Sequence, residues 1–251
     1  MISKKINIEG MKRESPEIIP SLERRDFLKL GLLITGVFAG GSILSATSIV
    51  GKAFASTREF TEQYPYKPHY SMVVHQDRCI DCEVCTTVCA KTNNVPTYGY
   101  RTRILEREDR KAVERSREFI PVLCNQCNNP PCVTGCPTKA TYKSPTTGIV
   151  MMESKKCIGC KTCMAACPYN ARYFNEETRA VDKCDFCFSS RLSKGEKLTA
   201  CAEACPAKCR IFGDLSDSRS EVFRTVHNLE KTVWVLRPEA GAKPNVFYTK
   251  G

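Results

Sequence analysis

The sequence predicts an α+β fold built from four copies of one short unit: strand, cysteine-bearing loop, short helix, strand. Three observations predict it. Sixteen of the 17 cysteines fall into four quartets of similar spacing. Three quartets share a tail: Cys136-Pro137-Thr138-Lys139-Ala140, Cys167-Pro168-Tyr169-Asn170-Ala171 and Cys205-Pro206-Ala207-Lys208-Cys209. Self-similarity of this kind marks an internal repeat. Short β-like runs precede the quartets, at Ser71–Val74, Phe119–Leu123 and Gly148–Met152. Ser144-Pro145-Thr146-Thr147-Gly148 and Asn175-Glu176-Glu177-Thr178 read as hairpin turns between repeats.

The quartets are Cys79, Cys82, Cys85, Cys89; Cys124, Cys127, Cys132, Cys136; Cys157, Cys160, Cys163, Cys167; and Cys184, Cys187, Cys201, Cys205. The first and third read C-x2-C-x2-C-x3-C. The second widens its middle gap, and the fourth inserts 13 residues there. This is the bacterial ferredoxin spacing for [4Fe–4S] clusters. Three cysteines two apart sit on a tight loop and converge on one cube. The fourth lies a helical turn beyond, points away and ligates the neighbouring cluster. One quartet cannot complete a cluster alone, whereas two quartets complete two. Sixteen ligands therefore predict four [4Fe–4S] clusters. Cys209 falls where the other repeats have Ala140 and Ala171, so it reads as a small buried residue. Its rival role, replacing Cys205 as fourth ligand, breaks the Cys-Pro register.

Disulfides and zinc are the competing uses of such cysteines. Zinc sites normally use two C-x2-C pairs and rarely a third close cysteine followed by C-x3-C-P. Disulfides require no four aligned quartets. Three histidines, His69, His75 and His227, supply a haem or a His-rich site poorly.

The formal charge of +11 raises the question of nucleic acid. Residues 1–55 hold eight Lys/Arg and five Asp/Glu, leaving 30 against 22, or +8, for the rest. Each oxidised cubane with four thiolates carries about two negative charges. Four of them bring the loaded chain near neutrality, so the bases offset cluster charge and solvate the surface. No nucleic-acid partner is expected.

Arg24-Arg25-Asp26-Phe27-Leu28-Lys29 precedes Leu30–Gly51, 22 residues without a formal charge, and then Ala53-Phe54-Ala55. Positive region, apolar region and small-x-small site are the parts of an export signal. The paired arginines resemble the twin-arginine signal, with Glu23 departing from the usual Ser or Thr. Cleavage after Ala55 is expected; retention as an anchor helix is the alternative, since the stretch is long enough to span a bilayer. Twin-arginine transport carries folded proteins, so clusters built before export survive it. The two features explain each other.

Arg101–Arg117 is charge-rich and reads as a solvated excursion, or as a docking surface. Trp234 reads as a packed aromatic, and Lys243–Tyr248 as an extended tail against the cluster domain. No nucleophile–base set, Gly-rich phosphate loop or HExxH is present, so a non-catalytic role is expected.

From Cys79 onward the chain resembles the four-cluster ferredoxin-like subunits of respiratory complexes. These include subunits of polysulfide, tetrathionate and dimethyl sulfoxide reductases, NrfC-like proteins and the Dsr complex. The carrying features are the four quartets in order, Cys89–Pro96, Asn125–Cys132, Ile211–Leu215 and the Lys243–Tyr248 tail. The resemblance implies two ferredoxin-like di-cluster modules related by a pseudo-two-fold repeat, with loop-rich insertions. It implies a nested pairing: Cys79, Cys82, Cys85 and Cys205 on one cluster; Cys184, Cys187, Cys201 and Cys89 on its neighbour; Cys124, Cys127, Cys132 and Cys167 on a third; Cys157, Cys160, Cys163 and Cys136 on the fourth. Residues 79–118 with 178–215 then form an outer module and 119–177 an inner one. Residues 1–55 are signal, 56–78 linker and first strand, and 216–251 a C-terminal extension. The implied role is a periplasmic electron wire. One end meets a quinone-interacting NrfD/PsrC-type membrane subunit. The other meets a redox partner: a multihaem cytochrome, a molybdopterin catalytic subunit or a Dsr-type complex. The rival readings are an iron–sulfur subunit of a molybdopterin oxidoreductase and a freely diffusing carrier.

Overall fold

The computed structural model describes residues 64–108 and 117–250. The expected signal at 1–55, the Ala55 cleavage site and residues 109–116 of the charged run lie outside the described residues. Along the described chain run β1 (Tyr70–His75), α1 (Val84–Asn93), β2 (Thr102–Glu108), β3 (Arg117–Leu123), α2 (Pro131–Thr134), β4 (Thr141–Lys143) and β5 (Val150–Met152). Then come α3 (Thr162–Ala165), β6 (Tyr173–Asn175), β7 (Ala180–Asp182), α4 (Ala200–Glu203), β8 (Arg210–Asp214), α5 (Glu221–Val226), β9 (Val233–Trp234) and β10 (Val246–Thr249). Among the described residues no helix is long and apolar enough to cross a membrane.

One four-stranded sheet has the order β8–β1–β10–β9. β1 pairs antiparallel with β8 and parallel with β10. Its Met72, Val73 and Val74 are fully buried, as a strand covered on both faces requires. The Lys243–Tyr248 segment supplies an inner strand rather than a peripheral tail. Val246 and Tyr248 are fully buried, and the Tyr248 hydroxyl donates to the Pro121 carbonyl at 3.0 Å. Trp234 stacks on Tyr248, 6.5 Å between ring centres, as a packed aromatic.

Hairpins β4–β5 and β6–β7 close at the two predicted turns. β5 starts at Val150, two residues later than the apolar run suggested. Gly148 takes φ +66°, and its N–H closes the turn on the Ser144 carbonyl at 3.0 Å. A Cβ there would meet the Tyr66 ring at 2.3 Å. The described parts of the charged run lie on β2 and at the start of β3, which pair antiparallel, with Arg107 paired to Glu118 and Arg117 to Glu106 across the strands. Such exposed pairs add at most about 1 kcal/mol each.

Helix length follows from one residue. α2, α3 and α4 are four residues each. Pro137, Pro168 and Pro206 lie just beyond them, and proline cannot continue a helix. The first quartet has Ala90 at that position, and α1 runs 10 residues to Asn93. This longer helix reaches Arg101. Arg101 donates to Asn93 Oδ1 at 3.1 Å, to both Asp182 oxygens at 3.2 and 3.0 Å, and to Asp185 Oδ1 at 3.0 Å. One guanidinium thus ties α1 to β7 and to the fourth cysteine loop. Burial alone would raise the Asp185 carboxyl, but the Arg101 and Lys183 cations and Ser189 hold it below the usual carboxylate range.

Arg101→Met takes the shared guanidinium from two mostly buried carboxylates and should lower the unfolding free energy by about 3 kcal/mol. Because the Asp185 pKa is depressed on folding, its contribution is present above the unfolded carboxylate value and lost as pH falls through the folded one. Denaturant titrations under anaerobic buffer should show the gap between wild type and variant narrowing below about pH 4.

Candidate metal centres

Each cysteine loop turns on a left-handed residue between its first two cysteines: Asp81, Gln126, Gly159 and Phe186, at φ 56°, 47°, 70° and 54°. Glu83 and Lys161 repeat this in the next gap of the first and third quartets, and Cys187 is itself left-handed in the fourth. Apart from Gly159, all of these turns carry side chains that disfavour the conformation. Such strain persists only where the surroundings fix it. The turns point backbone N–H groups at sulfur: Gly159 to Cys157 Sγ and Phe186 to Cys184 Sγ, both at 3.4 Å. Lys139, Asn170 and Lys208, each three residues past a Cys-Pro cysteine, are left-handed as well, at φ 55°, 47° and 47°.

The fourth cysteine of each quartet lies among the sulfurs of another. Burial and then the Cys201 and Cys187 thiols push Cys89 up to about 12. Burial raises Cys184 too, followed by Cys89, Cys187, Cys124 and Cys201. Cys127 is pushed up to about 12 by burial, then by Cys124, Cys132 and Cys167. Cys163 is raised by burial, with Cys136 and Cys157 adding to it. Cys85 is raised by burial, with Cys201 and Cys205 near it. Sulfurs of different quartets thus come together at several places. Cys82 and Cys160 are exposed. Cys85 neighbours Cys201, and Cys184 neighbours Cys124.

None of the 17 cysteines is joined in a disulfide. Among the described residues no three His, Cys, Asp or Glu side chains close around a single ion. The donors nonetheless fit thiolate-held clusters. Bare buried thiols at pH 7 are neutral, and a coordinating metal deprotonates them outright. Buried cations already surround the sulfurs. Arg172 Nη2 donates to Cys132 Sγ at 3.0 Å, and Arg210 Nη2 to Cys85 Sγ at 3.4 Å. Arg210 Nη1 is buried without a hydrogen-bond partner. Lys183 Nζ donates to the Cys184 carbonyl at 2.7 Å, and Lys143 Nζ to the Cys127 carbonyl at 2.8 Å. Burial lowers Lys143 to about 8, against the pull of the Cys127, Cys124 and Cys132 sulfurs. A cationic lining with an orphaned donor suits a resident anion.

The Asn125–Asn129 loop is held by the C-terminal segment. Asn128 and Asn129 N–H groups donate to the Lys243 and Ala242 carbonyls at 2.7 and 3.0 Å, and Asn245 N–H donates to the Asn125 carbonyl at 2.8 Å. Gln126 bridges the second and fourth quartets, donating to the Cys184 carbonyl at 2.7 Å and accepting from Val150 N–H at 2.8 Å. Cys209 is buried beside Cys79, Cys205 and Cys85, and its N–H donates to Cys205 Sγ at 3.4 Å.

Sequence reasoning missed Arg172, Arg210, Lys143, Lys183 and Asn93. For the arginines a signal existed. Both directly follow the repeated Cys-Pro-x-x-small tail, so extending the repeat alignment by one residue exposes them. Lys183 adjoins Cys184 and Asn93 lies one helical turn past Cys89, so both sit beside a quartet in sequence, whereas Lys143 reaches Cys127 across 16 residues.

A 4Fe-4S dicluster domain model matches residues 116–215. The B subunit of tetrathionate reductase from Salmonella typhimurium is 38% identical over 230 residues, 90% of this chain and 87% of the relative. The corresponding B component of polysulfide reductase from Wolinella succinogenes is 38% identical over 182 residues, 71% of this chain and 92% of the relative. Hdr-like menaquinol oxidoreductase iron-sulfur subunit 1 of Archaeoglobus fulgidus is 34% identical over 274 aligned positions, 91% of this chain and 98% of the relative. With cysteine loops, cationic lining and full-length likeness all in agreement, this chain belongs to the 4Fe-4S iron–sulfur family that contains these tetrathionate and polysulfide reductase subunits.

Proposed function

We propose that this chain is a non-catalytic electron-transfer subunit holding four [4Fe–4S] clusters in a row. It relays electrons on the periplasmic side of the membrane, between an NrfD/PsrC-type quinone-interacting subunit and a redox partner. The observation that carries this reading is the difference in burial between the proposed ligand sets. In the two central sets, Cys184, Cys187, Cys201, Cys89, Cys124, Cys127 and Cys132 are buried and only Cys167 is partly exposed. The outer sets each carry one exposed cysteine, Cys82 and Cys160. Beside them stand Ile80, 64% exposed, and Ile158, 67% exposed. A sealed middle with two accessible ends is what a conduit needs.

The ligand sets are Cys79, Cys82, Cys85 with Cys205; Cys184, Cys187, Cys201 with Cys89; Cys124, Cys127, Cys132 with Cys167; and Cys157, Cys160, Cys163 with Cys136. Cys209 is a packing residue. When bound, the clusters supply one-electron transfer. The chain's own residues hold them, orient the sulfurs through loop N–H groups and exclude water from the centre. The matching contacts Arg172–Thr141 and Arg210–Thr102, at 3.2 and 2.8 Å, support a pseudo-two-fold relation. It relates residues 79–118 with 178–215 to residues 119–177. Export by the twin-arginine route rests on Arg24-Arg25 and the uncharged Leu30–Gly51 stretch. The names of the relatives, two from reductases and one from a menaquinol oxidoreductase, favour a complex over a freely diffusing carrier.

Two outcomes test this. The tagged chain, expressed with its neighbouring genes, should co-purify an NrfD/PsrC-type membrane protein, and a menaquinol analogue should reduce the clusters only in that complex. Recovery of the chain alone, with no stable partner, would favour the diffusing carrier. Separately, Cys209→Ala should keep full iron, whereas Cys205→Ala should lose one cluster by iron analysis and EPR. Cluster loss in Cys209→Ala with retention in Cys205→Ala would reassign the ligand.

A further inference from the structure

Arg172 and Arg210 occupy equivalent places in two repeats, each directly after a Cys-Pro-x-x-small tail. They are 1% and 3% exposed. Each donates to the third cysteine of another quartet: Arg172 Nη2 to Cys132 Sγ at 3.0 Å, Arg210 Nη2 to Cys85 Sγ at 3.4 Å. Each is steadied by a threonine hydroxyl, Thr141 at 3.2 Å and Thr102 at 2.8 Å. The charge of each also reaches the companion set of its module, Cys163 from Arg172 and Cys201 from Arg210. Arg101 differs, because Asp182 and Asp185 neutralise it.

The remaining contacts to sulfur are made by neutral donors. Asn93 Nδ2 lies 3.6 Å from both Cys89 and Cys187 Sγ. Thr141 N–H reaches Cys136 Sγ at 3.5 Å, and the Thr162 hydroxyl reaches Cys160 Sγ at 3.4 Å. The two sets reached by a guanidinium hydrogen bond thus alternate, along the row, with two that are not.

In the loaded protein the Cys132 and Cys85 sulfurs are thiolate ligands. An accepted electron adds negative charge to the cluster and its sulfurs. A buried cation hydrogen-bonded to such a sulfur stabilises the reduced state more than the oxidised one. Outer-sphere donors of this kind tune metal sites without ligating them. We propose that Arg172 and Arg210 set the reduction potentials of their modules. Each raises both potentials, and raises more strongly the one whose sulfur it contacts. The row of clusters then alternates between higher and lower potential. Thr141 and Thr102 are positioning residues for the two guanidinium groups. This inference rests on the four-cluster reading above.

The test is an EPR-monitored redox titration of the anaerobically purified full chain, with iron measured in each sample. R172Q should move two of four potentials to more negative values, unequally, and leave the other two in place. R210Q should move the other two, and the double variant all four. R172K and R210K, which keep the charge, should restore much of the shift. Fully loaded Gln variants with four unchanged potentials, or both moving the same pair, would overturn the proposal. If the Gln variants lose iron, T141V and T102V are read instead. Smaller negative shifts in the same pairs support the proposal, and unchanged potentials in both refute it. Wild-type protein with fewer than four reducible clusters would sink the four-cluster reading itself, a result distinguishable from unchanged potentials in a fully loaded chain.

Discussion

The fourth cysteine of each quartet stands a helical turn beyond the third and faces sulfurs that belong to a different part of the chain. Cys89 meets Cys187 and Cys201, 98 and 112 residues further along the chain, whereas Cys136 lies near Cys163 and Cys167 near Cys127 over much shorter spans. Closing the long loop costs little more than closing the short one, since the entropy grows only with the logarithm of length. It does require the ends to be held, and the sheet does that. β1, just before the first quartet, lies between β8, just after the fourth, and β10 at the C terminus. The sheet and the sulfur sets bring together the same distant segments.

The cysteines are also much of the core. The largest buried cluster contains Cys85, Cys124, Cys184, Cys201 and Cys209 beside Met72, Phe186 and Tyr248, and another contains Cys132 and Cys163. With so much of the interior made of ligands, metal binding and folding are one equilibrium. The buried cations belong to the same logic. Arg172, Arg210 and Lys183 are almost completely buried, a state that charged groups rarely adopt without a partner. Thiolate-held clusters are the anions that make such burial tolerable. The net positive charge of the chain is thus partly an interior property rather than a surface footprint.

The cysteine quartets, the two hairpin turns and the strand before each of the first three loops were legible in the sequence, because each depends on neighbours within about ten residues. The helix lengths were legible in retrospect through Ala90, which stands where three other repeats have proline. The sheet order was not legible. β10 reads as a polar-flanked tail in sequence, and only the partners waiting on both sides make it an inner strand. The arginines at the sulfurs were half legible. Their repeat position could be read, but the sulfur that each reaches lies in another quartet, Cys132 for Arg172 and Cys85 for Arg210. Lys143 carried no such signal, since it reaches Cys127 and Asn128 only through the fold, and the reach of Asn93 to Cys187 is likewise a tertiary contact.

The central claim is that cysteines are exchanged between quartets, and paired substitutions count it directly. The anaerobically purified wild-type chain should hold about sixteen iron atoms as four cubanes. Cys89→Ala combined with Cys187→Ala should cost a single cubane by Mössbauer and EPR counting, because both serve one set. Cys89→Ala combined with Cys82→Ala should cost two. The opposite pattern, one cubane lost with Cys82 and two with Cys187, would contradict the account.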